Sequence, residues 1–187
     1  MGKETEKECP CTRRCKAKVE DSARIKEFYR FVAENTESMD RYGRWIYGLH
    51  PTDEMIEAYI SEGSMYFAEE NGDISAAVAV TSYQGEDYHP VQWKADANDD
   101  EVAVIHLLCV NPKKQGKGLA KAVVKEVIQM AREYQMKAVR LDVLCCNTPA
   151  QQLYEGLGFE RCGVQNWYAS NTGDIDFYCM SICFSFR

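Results

Sequence analysis

Residues 102–131 hold a strand-like segment, a glycine turn and an amphipathic helix in direct succession, and this order constrains the fold more than any other feature of the chain. The segment 102–110 is apolar except for one histidine and rich in β-branched residues, as is typical of a largely buried strand. Residues 120–131 repeat apolar side chains at the three- and four-residue spacing of a helix face. Gly116 and Gly118 have no Cβ, so backbone N–H groups at the start of the helix can approach an anion closely. The stretch therefore predicts an anion site, suited to a phosphate, between a strand and a helix.

The residues around the glycines exclude two common phosphate-binding loops. A Walker A loop requires Ser or Thr after its Gly-Lys pair, and here Gly118 follows Lys117. A dinucleotide-binding loop requires a third glycine, and here Lys121 stands in its place. The remaining pattern is Gln-x-x-Gly-x-Ala, which runs from Gln115 to Ala120. This pattern resembles the pyrophosphate-binding motif of the GNAT N-acetyltransferase superfamily, whose members bind acetyl-CoA.

A segment further along the chain carries a second resemblance. Residues 137–145 alternate as a strand, and a Thr-Pro pair suited to the start of a helix follows them. Asn147 precedes that helix, and a Leu-Tyr pair ending in Tyr154 stands near its end, before a closing Gly-Phe. This order is similar to the second signature of the GNAT superfamily. The two signatures together identify the chain as a member from about Asp21 to the C-terminus.

The resemblance implies an α/β (α+β) fold with a mixed, mostly antiparallel central sheet of about seven strands flanked by helices. The predicted element order, β-α-α-β-β-β-α-β-α-β-β, is the order expected for this fold. In the family the sheet is splayed between the fourth and fifth strands, which here are residues 102–111 and 137–145. The last two strands are predicted at 159–164 and 176–186.

The composition limits the domain count, the partners and the compartment. A length of 187 residues with 45% apolar content suits one domain with its own core, so we predict a flexible, cysteine-containing arm at 1–13 and a single GNAT domain at 14–187. The net charge of −7 and the lack of a basic stripe argue against a nucleic-acid partner. No run of residues has the length of a membrane span or the pattern of a leader. We expect a cytoplasmic monomer or homodimer without a membrane partner.

The nine cysteines are expected to be reduced thiols, because no secretory feature accompanies them. Cys9, Cys11 and Cys15 form a compact cluster that could supply three metal ligands. A closed zinc site requires four ligands and no fourth stands nearby, so no metal is expected. A metal-binding scaffold centred on this cluster stays open as an alternative.

The resemblance also assigns residues to one co-substrate, acetyl-CoA. Backbone groups of the fourth strand would pair with the pantetheine arm, and the glycine turn would hold the diphosphate. Asn147 would contact the cofactor, with helix capping as the alternative role. The expected cofactor-binding residues are Leu108, Cys109, Val110, Gln115, Gly116, Lys117, Gly118, Leu119, Ala120 and Asn147.

Acetyl transfer to an amine requires a proton acceptor for the ammonium group and a proton donor for the departing thiolate. His106 resembles the strand histidine that some GNAT enzymes place near the acceptor, and a core histidine without a chemical role is the equal alternative. Glu101 could act through water. Tyr154 is the candidate proton donor, since a phenol is mostly protonated at neutral pH. Strand alternation places Cys109 on the opposite sheet face from His106, so direct transfer is predicted rather than a covalent acyl-enzyme.

The acceptor amine is expected to bind among the first two helices and the loop before the fourth strand. Aromatic walls with nearby acids there would suit a small cationic amine. The candidate residues are Trp45, Tyr47, Tyr88 and Trp93. Two other functions stay open: acetylation of protein lysines or N-termini, and a non-catalytic CoA-binding regulatory module.

Overall fold

The computed structural model describes residues 13–185, with side chains from Cys15 onward. The elements are β1 (Arg13–Lys16), α1 (Ser22–Asn35), α2 (Asp53–Ser61), β2 (Met65–Glu70), β3 (Asp73–Thr81), β4 (Val102–Val110), α3 (Leu119–Glu133), β5 (Ala138–Leu144), α4 (Thr148–Glu155), β6 (Glu160–Ala169) and β7 (Gly173–Cys183). The predicted arm, with Cys9 and Cys11, lies outside the described residues apart from Arg13, which begins β1. Within the described range, no helix combines the length and the apolar character needed to cross a membrane.

All seven strands form one sheet in the order β1-β2-β3-β4-β5-β7-β6. Only the central β4–β5 pair is parallel. Its pairing ends at Val104 and Arg140, although β4 continues to Val110 and β5 to Leu144. The predicted mixed sheet, flanked by helices and splayed between its fourth and fifth strands, is therefore confirmed.

The two faces of the sheet carry different helices and different cores. On the front face, α1 and α2 bury a cluster that includes Ile25, Tyr29 and Ile56. On the back face, α3 and α4 pack on a second cluster, which includes Val124 and Tyr154. Since α1 repeats its buried side chains at the three- and four-residue spacing of a helix, its amphipathic pattern fixes which side meets the sheet.

A buried arginine holds the long segment between β3 and β4 against the front of β5. Arg140 is 1% exposed, and its Nη2 donates to the Ala95 carbonyl at 2.9 Å. Its guanidinium lies 4.5 Å from the ring centroid of Trp93, and its Nη1 donates to Gln84. This clamp brings the segment's residues 85–88 close to the splayed centre of the sheet.

The hairpin of β6 and β7 is longer than predicted. β6 ends at Ala169 and β7 begins at Gly173, whereas the prediction ended the first strand at 164 and began the second at 176. The register is continuous from Val164↔Tyr178 to Ala169↔Gly173. The extension was missed because polar residues such as Gln165, Asn166 and Asp174 interrupt its apolar alternation, and none of its side chains is fully buried.

Candidate active site

One large cleft joins the glycine turn to the front of the sheet. It encloses about 1070 Å³ and passes between the divergent ends of β4 and β5. This volume lies just above the usual range of roughly 300–1,000 Å³ for small-molecule sites. Among the predicted site residues, its lining includes Trp45, His106, Leu108, Cys109, Val110, Gln115, Gly116, Gly118, Leu119, Ala120, Asn147 and Tyr154.

The glycine turn presents free backbone donors to the cleft. Gly116 and Gly118 have φ values of 75° and 78°, in the left-handed region that favours glycine. A Cβ at either position would meet nothing within 4 Å, so conformation and not space requires the glycines. The first backbone bond of α3 runs from the Ala122 N–H to the Gly118 carbonyl at 3.0 Å. The N–H groups that precede Ala122 in the first turn are therefore oriented as a helix N-terminus offers them to an anion.

A bulge in β4 changes the face that each side chain occupies. Ala79 pairs with His106 but Ala77 pairs with Cys109, so β4 has one extra residue between the two pairs. Leu107 takes the strained φ of 50°, and buried Tyr29 donates to its carbonyl at 2.9 Å. The prediction that His106 and Cys109 lie on opposite faces is wrong, because the extra residue returns both to the front face.

The shared face does not make Cys109 a nucleophile. The side chain is buried in the front core, and this burial raises the pKa of the thiol. Because the thiolate is the reactive species, a thiol held protonated cannot attack a thioester at neutral pH. Direct transfer stays the better hypothesis. The reason is that the Cys109 thiol stays protonated, and not that Cys109 and His106 lie on opposite faces of the sheet.

His106 is held as a neutral imidazole of defined tautomer. Its ring stacks on Tyr59 with the centroids 5.5 Å apart, and burial lowers its pKa from 6.5 to about 4. Its Nε2 lies 3.3 Å from the Thr81 Oγ1, whose single hydrogen is donated to the Tyr83 carbonyl at 2.7 Å. The Thr81 oxygen can therefore only accept, so Nε2 carries the proton and Nδ1 keeps its lone pair.

A carboxylate that was not predicted, Asp142, also lines the cleft. It lies on β5, and the Tyr88 hydroxyl donates to its Oδ1 at 2.7 Å. Burial raises the pKa of the Asp142 carboxyl, and the structure gives it no ion pair with any described residue. A lone acid inside a strand whose other residues, apart from Arg140, are apolar was the signal that could have revealed it.

Tyr154 and Asn147 lie at the two ends of α4. The Tyr154 side chain is 7% exposed, packs edge-to-face on Phe159, and has a pKa raised by burial, so its hydroxyl stays protonated. The structure records no hydrogen-bond partner for this hydroxyl among residues 13–185. Asn147 caps the helix, because its Oδ1 accepts from the Ala150 N–H at 3.2 Å.

The predicted acceptor residues are not all in the cleft lining, which includes only Trp45 of the four. Tyr47 instead binds Asp53 and packs under Arg30. Tyr88 is 3% exposed, and Trp93 donates from Nε1 to its carbonyl at 3.0 Å. Lys117, predicted for the cofactor, is likewise absent from the lining.

Metal-ligand side chains are not clustered in the described part of the chain: no group of three or more His, Cys, Asp or Glu residues there could hold a metal ion. Cys15 is half-buried and forms no disulfide bond with another described cysteine, whereas Cys9 and Cys11 lie outside the described residues. The metal-binding alternative for these three cysteines therefore stays untested.

Comparison with known proteins agrees with the geometry. The model of the acetyltransferase (GNAT) family matches residues 18–159. The chain belongs to this family. Among solved structures, a Salmonella typhimurium protein described with its cofactor acetyl-CoA has the same fold, with a TM-score of 0.63, 18% identity and coverage of 95% of this chain and 96% of that one.

Two curated relatives each match less than half of this chain. Human N-acetylaspartate synthetase is 32% identical over 78 residues, which are 42% of this chain and 26% of the relative. N-alpha-acetyltransferase RimI of Mycobacterium tuberculosis is 33% identical over 76 residues, which are 41% of this chain and 46% of the relative. The chain thus spans about a quarter to a half of the length of these two relatives.

Proposed function

We propose that the protein transfers the acetyl group of acetyl-CoA to a primary amine by direct attack. One observation carries the proposal: a single cleft connects the free N–H groups at the start of α3 with His106, Asp142 and Tyr154. An anion-binding turn and a set of buried proton-exchanging groups are the two parts that such a reaction requires.

The residues present fit acetyl-CoA, which would supply an activated acetyl thioester. Gln115, Gly116, Lys117, Gly118, Leu119 and Ala120 would hold its diphosphate. The β4 backbone at Leu108, Cys109 and Val110 has no strand partner on the β5 side, so it would accept an extended arm as a sheet edge accepts a peptide. An N–H of the same segment would stabilise the negative charge that develops on the carbonyl oxygen. Asn147 would contact the cofactor while it caps α4.

The chemistry requires two protons to leave the nitrogen of an alkylammonium and one proton to reach the sulfur. The alkylammonium gives its first proton to Asp142 or to the Nδ1 lone pair of His106, and the neutral nitrogen then attacks the thioester carbon. As the carbon–nitrogen bond forms and the carbon–sulfur bond breaks, the second proton leaves the nitrogen and replaces the one that Tyr154 gives up, so one proton is released overall. The Tyr154 hydroxyl donates its proton to the departing thiolate, which it can do because burial keeps it protonated.

One variant and two assays test the proposal against a non-catalytic CoA-binding module. Acetyl-CoA binding is measured by calorimetry, and transfer is followed by CoA release with a panel of amines. We expect Tyr154→Phe to lower kcat by about 100-fold or more without a change in acetyl-CoA affinity. A module without catalysis would instead bind acetyl-CoA and transfer to none of the amines.

The glycine turn has a matched control elsewhere in the chain. Gly118→Ala forces an alanine into a left-handed φ, which costs about 1–2 kcal/mol. The turn should relax from this conformation in the unbound variant and must be restored to bind the diphosphate, so we expect roughly tenfold weaker acetyl-CoA binding. Gly72 has a φ of 86° and equally open surroundings but lies in the β2–β3 hairpin, outside the cleft. Gly72→Ala should therefore lower stability and leave affinity unchanged. Equal loss of affinity in both variants would contradict the proposed cofactor site.

A further inference from the structure

Two segments that are distant in sequence meet above the front of the cleft. We call residues 42–50 the strap and residues 170–172, at the end of the β6–β7 hairpin, the tip. The Ser170 Oγ donates to the Leu49 carbonyl at 2.8 Å, and the Asn171 Nδ2 donates to the Arg44 carbonyl at 2.6 Å. In both hydrogen bonds the acceptor is a backbone carbonyl of the strap. Substitution of the two tip side chains therefore removes both bonds without changing a strap residue.

The strap and the hairpin both contribute walls to the same cleft. Tyr42, Trp45 and His50 of the strap line it on one side, and Trp167, Tyr168 and Asn171 of the hairpin line it on the other. The strap also contacts the end of β5, where the Cys146 Sγ lies 3.9 Å from the Tyr42 carbonyl. The strap and the tip therefore meet beside the acceptor end of the cleft, which we call the chamber.

The charged side chains that line the chamber have one sign, whereas Arg44 of the strap and Arg41, which stacks on Tyr42, are not part of the lining. The carboxylates of Asp87 and Asp142 line it beside the aromatic rings. The Lys and Arg side chains of the described lining are Lys114 and Lys121, and both flank the glycine turn at the cofactor end. Such walls favour an ammonium group, whereas a carboxylate on the acceptor would find no cationic side chain in the lining of the chamber.

We propose that the acceptor is a small cationic amine without a carboxylate, and that Ser170 and Asn171 set this specificity by holding the strap over the chamber. The inference rests on the proposed acetyl transfer and narrows its acceptor. A slender amine such as an alkyl diamine enters the chamber beneath the bound strap. The amine of a polypeptide cannot enter while the strap is bound, because its following residues would need the space that the strap occupies.

The test compares acceptors in the wild-type protein and in a Ser170→Ala/Asn171→Ala double variant. The panel contains propane-1,3-diamine, aspartate and an alanine-ended peptide, and each is assayed for transfer and for calorimetric binding to the CoA-loaded protein. We expect the wild type to prefer the diamine over both others. In the double variant, the diamine-to-peptide ratio of kcat/KM should fall about tenfold or more, since two hydrogen bonds are lost. Asn166→Ala, in the same hairpin but bonded to Asp176, is the control that should keep the ratio.

Each outcome bears on one of the two claims. Peptide or aspartate acetylation as efficient as that of the diamine in the wild type overturns the inference and leaves acetyl transfer intact. An unchanged ratio in the double variant removes the specificity role of Ser170 and Asn171. Absence of acetyl-CoA binding overturns the proposed function. If acetyl-CoA binds without transfer to any amine, the calorimetric preference for the diamine still decides the inference about the chamber.

Discussion

Asp142 is oriented by an aromatic stack rather than by a charge. Its partner Tyr88 lies parallel to Trp167 with the ring centroids 5.9 Å apart and packs against Trp93 at 5.2 Å. These rings fix the direction of the Tyr88 hydroxyl, which donates to the carboxylate. Tyr88, which was predicted to contact the acceptor, thus acts indirectly, through its hydrogen bond to Asp142. Its hydrogen bond lowers the pKa of Asp142 and partly offsets the effect of burial.

The Tyr88→Phe substitution should expose this role in a pH profile. The rings stay packed while the carboxylate loses a donor that favours its charged form, so the pKa of Asp142 rises. If Asp142 accepts the proton, the acid limb of kcat/KM moves to higher pH, and Asp142→Asn lowers kcat/KM by about 100-fold or more. The matched control is Tyr134→Phe, because Tyr134 is 70% exposed and lies outside the cleft. An acid limb that stays in place in Tyr88→Phe would contradict the positioning role.

The bulge of β4 is the element that turns an ordinary strand into a site. It carries a leucine at positive φ, a conformation that costs free energy and persists only where neighbours enforce it. The enforcing neighbour is Tyr29 of α1, which is fully buried and binds the Leu107 carbonyl. A front-face helix therefore sets the backbone geometry at the point where β4 leaves β5.

Removal of that hydrogen bond should cost both stability and activity. We expect Tyr29→Phe to lower the free energy of unfolding in urea by about 1–3 kcal/mol, because the Leu107 carbonyl is left without its donor. The kcat for acetyl transfer should also fall under conditions where the variant is folded, since the bulge positions His106. Tyr83→Phe provides the comparison: its hydroxyl bonds an exposed Glu62, and the change should stay within about 0.5 kcal/mol. Full activity in Tyr29→Phe would show that the bulge does not need this contact.

Local sequence signals predicted the elements well but could not predict how distant segments meet. The glycine turn and the start of α4 were correct because their residues act within a few positions of one another, as at Asn147 and Ala150. The β4 bulge was missed because strand alternation assumes regular pleating, and its cause is a hydroxyl 78 residues away in the chain. Asp142 and the tip at Ser170 were missed for the same reason, since their partners come from other parts of the fold.

The described part of the molecule is built on one sheet whose central strands, β4 and β5, separate after three residue pairs. Ionisable side chains are buried at this separation. The three β4–β5 pairs at Val102, Ala103 and Val104 join the halves, and the cleft replaces further pairing. Both His106 and His50 line this cleft, and burial lowers the pKa of each. The folded protein therefore resists protonation at these two side chains, and its stability depends on pH.

Acid should destabilise the protein before its surface carboxylates titrate. The pKa of His106 is about 4 when folded against 6.5 as the ordinary value, so its stabilising effect is complete above pH 6.5 and is lost as pH falls through 4. Between pH 7 and pH 5 this one side chain should remove about 2 kcal/mol from the free energy of unfolding. His50 adds to the loss in the same direction, whereas Asp142 opposes it, because a raised carboxyl pKa favours the folded state at low pH.

Urea unfolding at pH 7 and at pH 5 measures how much free energy of unfolding is lost between the two pH values. This loss should be smaller by about 2 kcal/mol in His106→Gln, and smaller still when His50→Gln is added. If the wild type and His106→Gln lose the same free energy between the two pH values, the imidazole is not held neutral by burial, and the lone pair assigned to its Nδ1 loses its support.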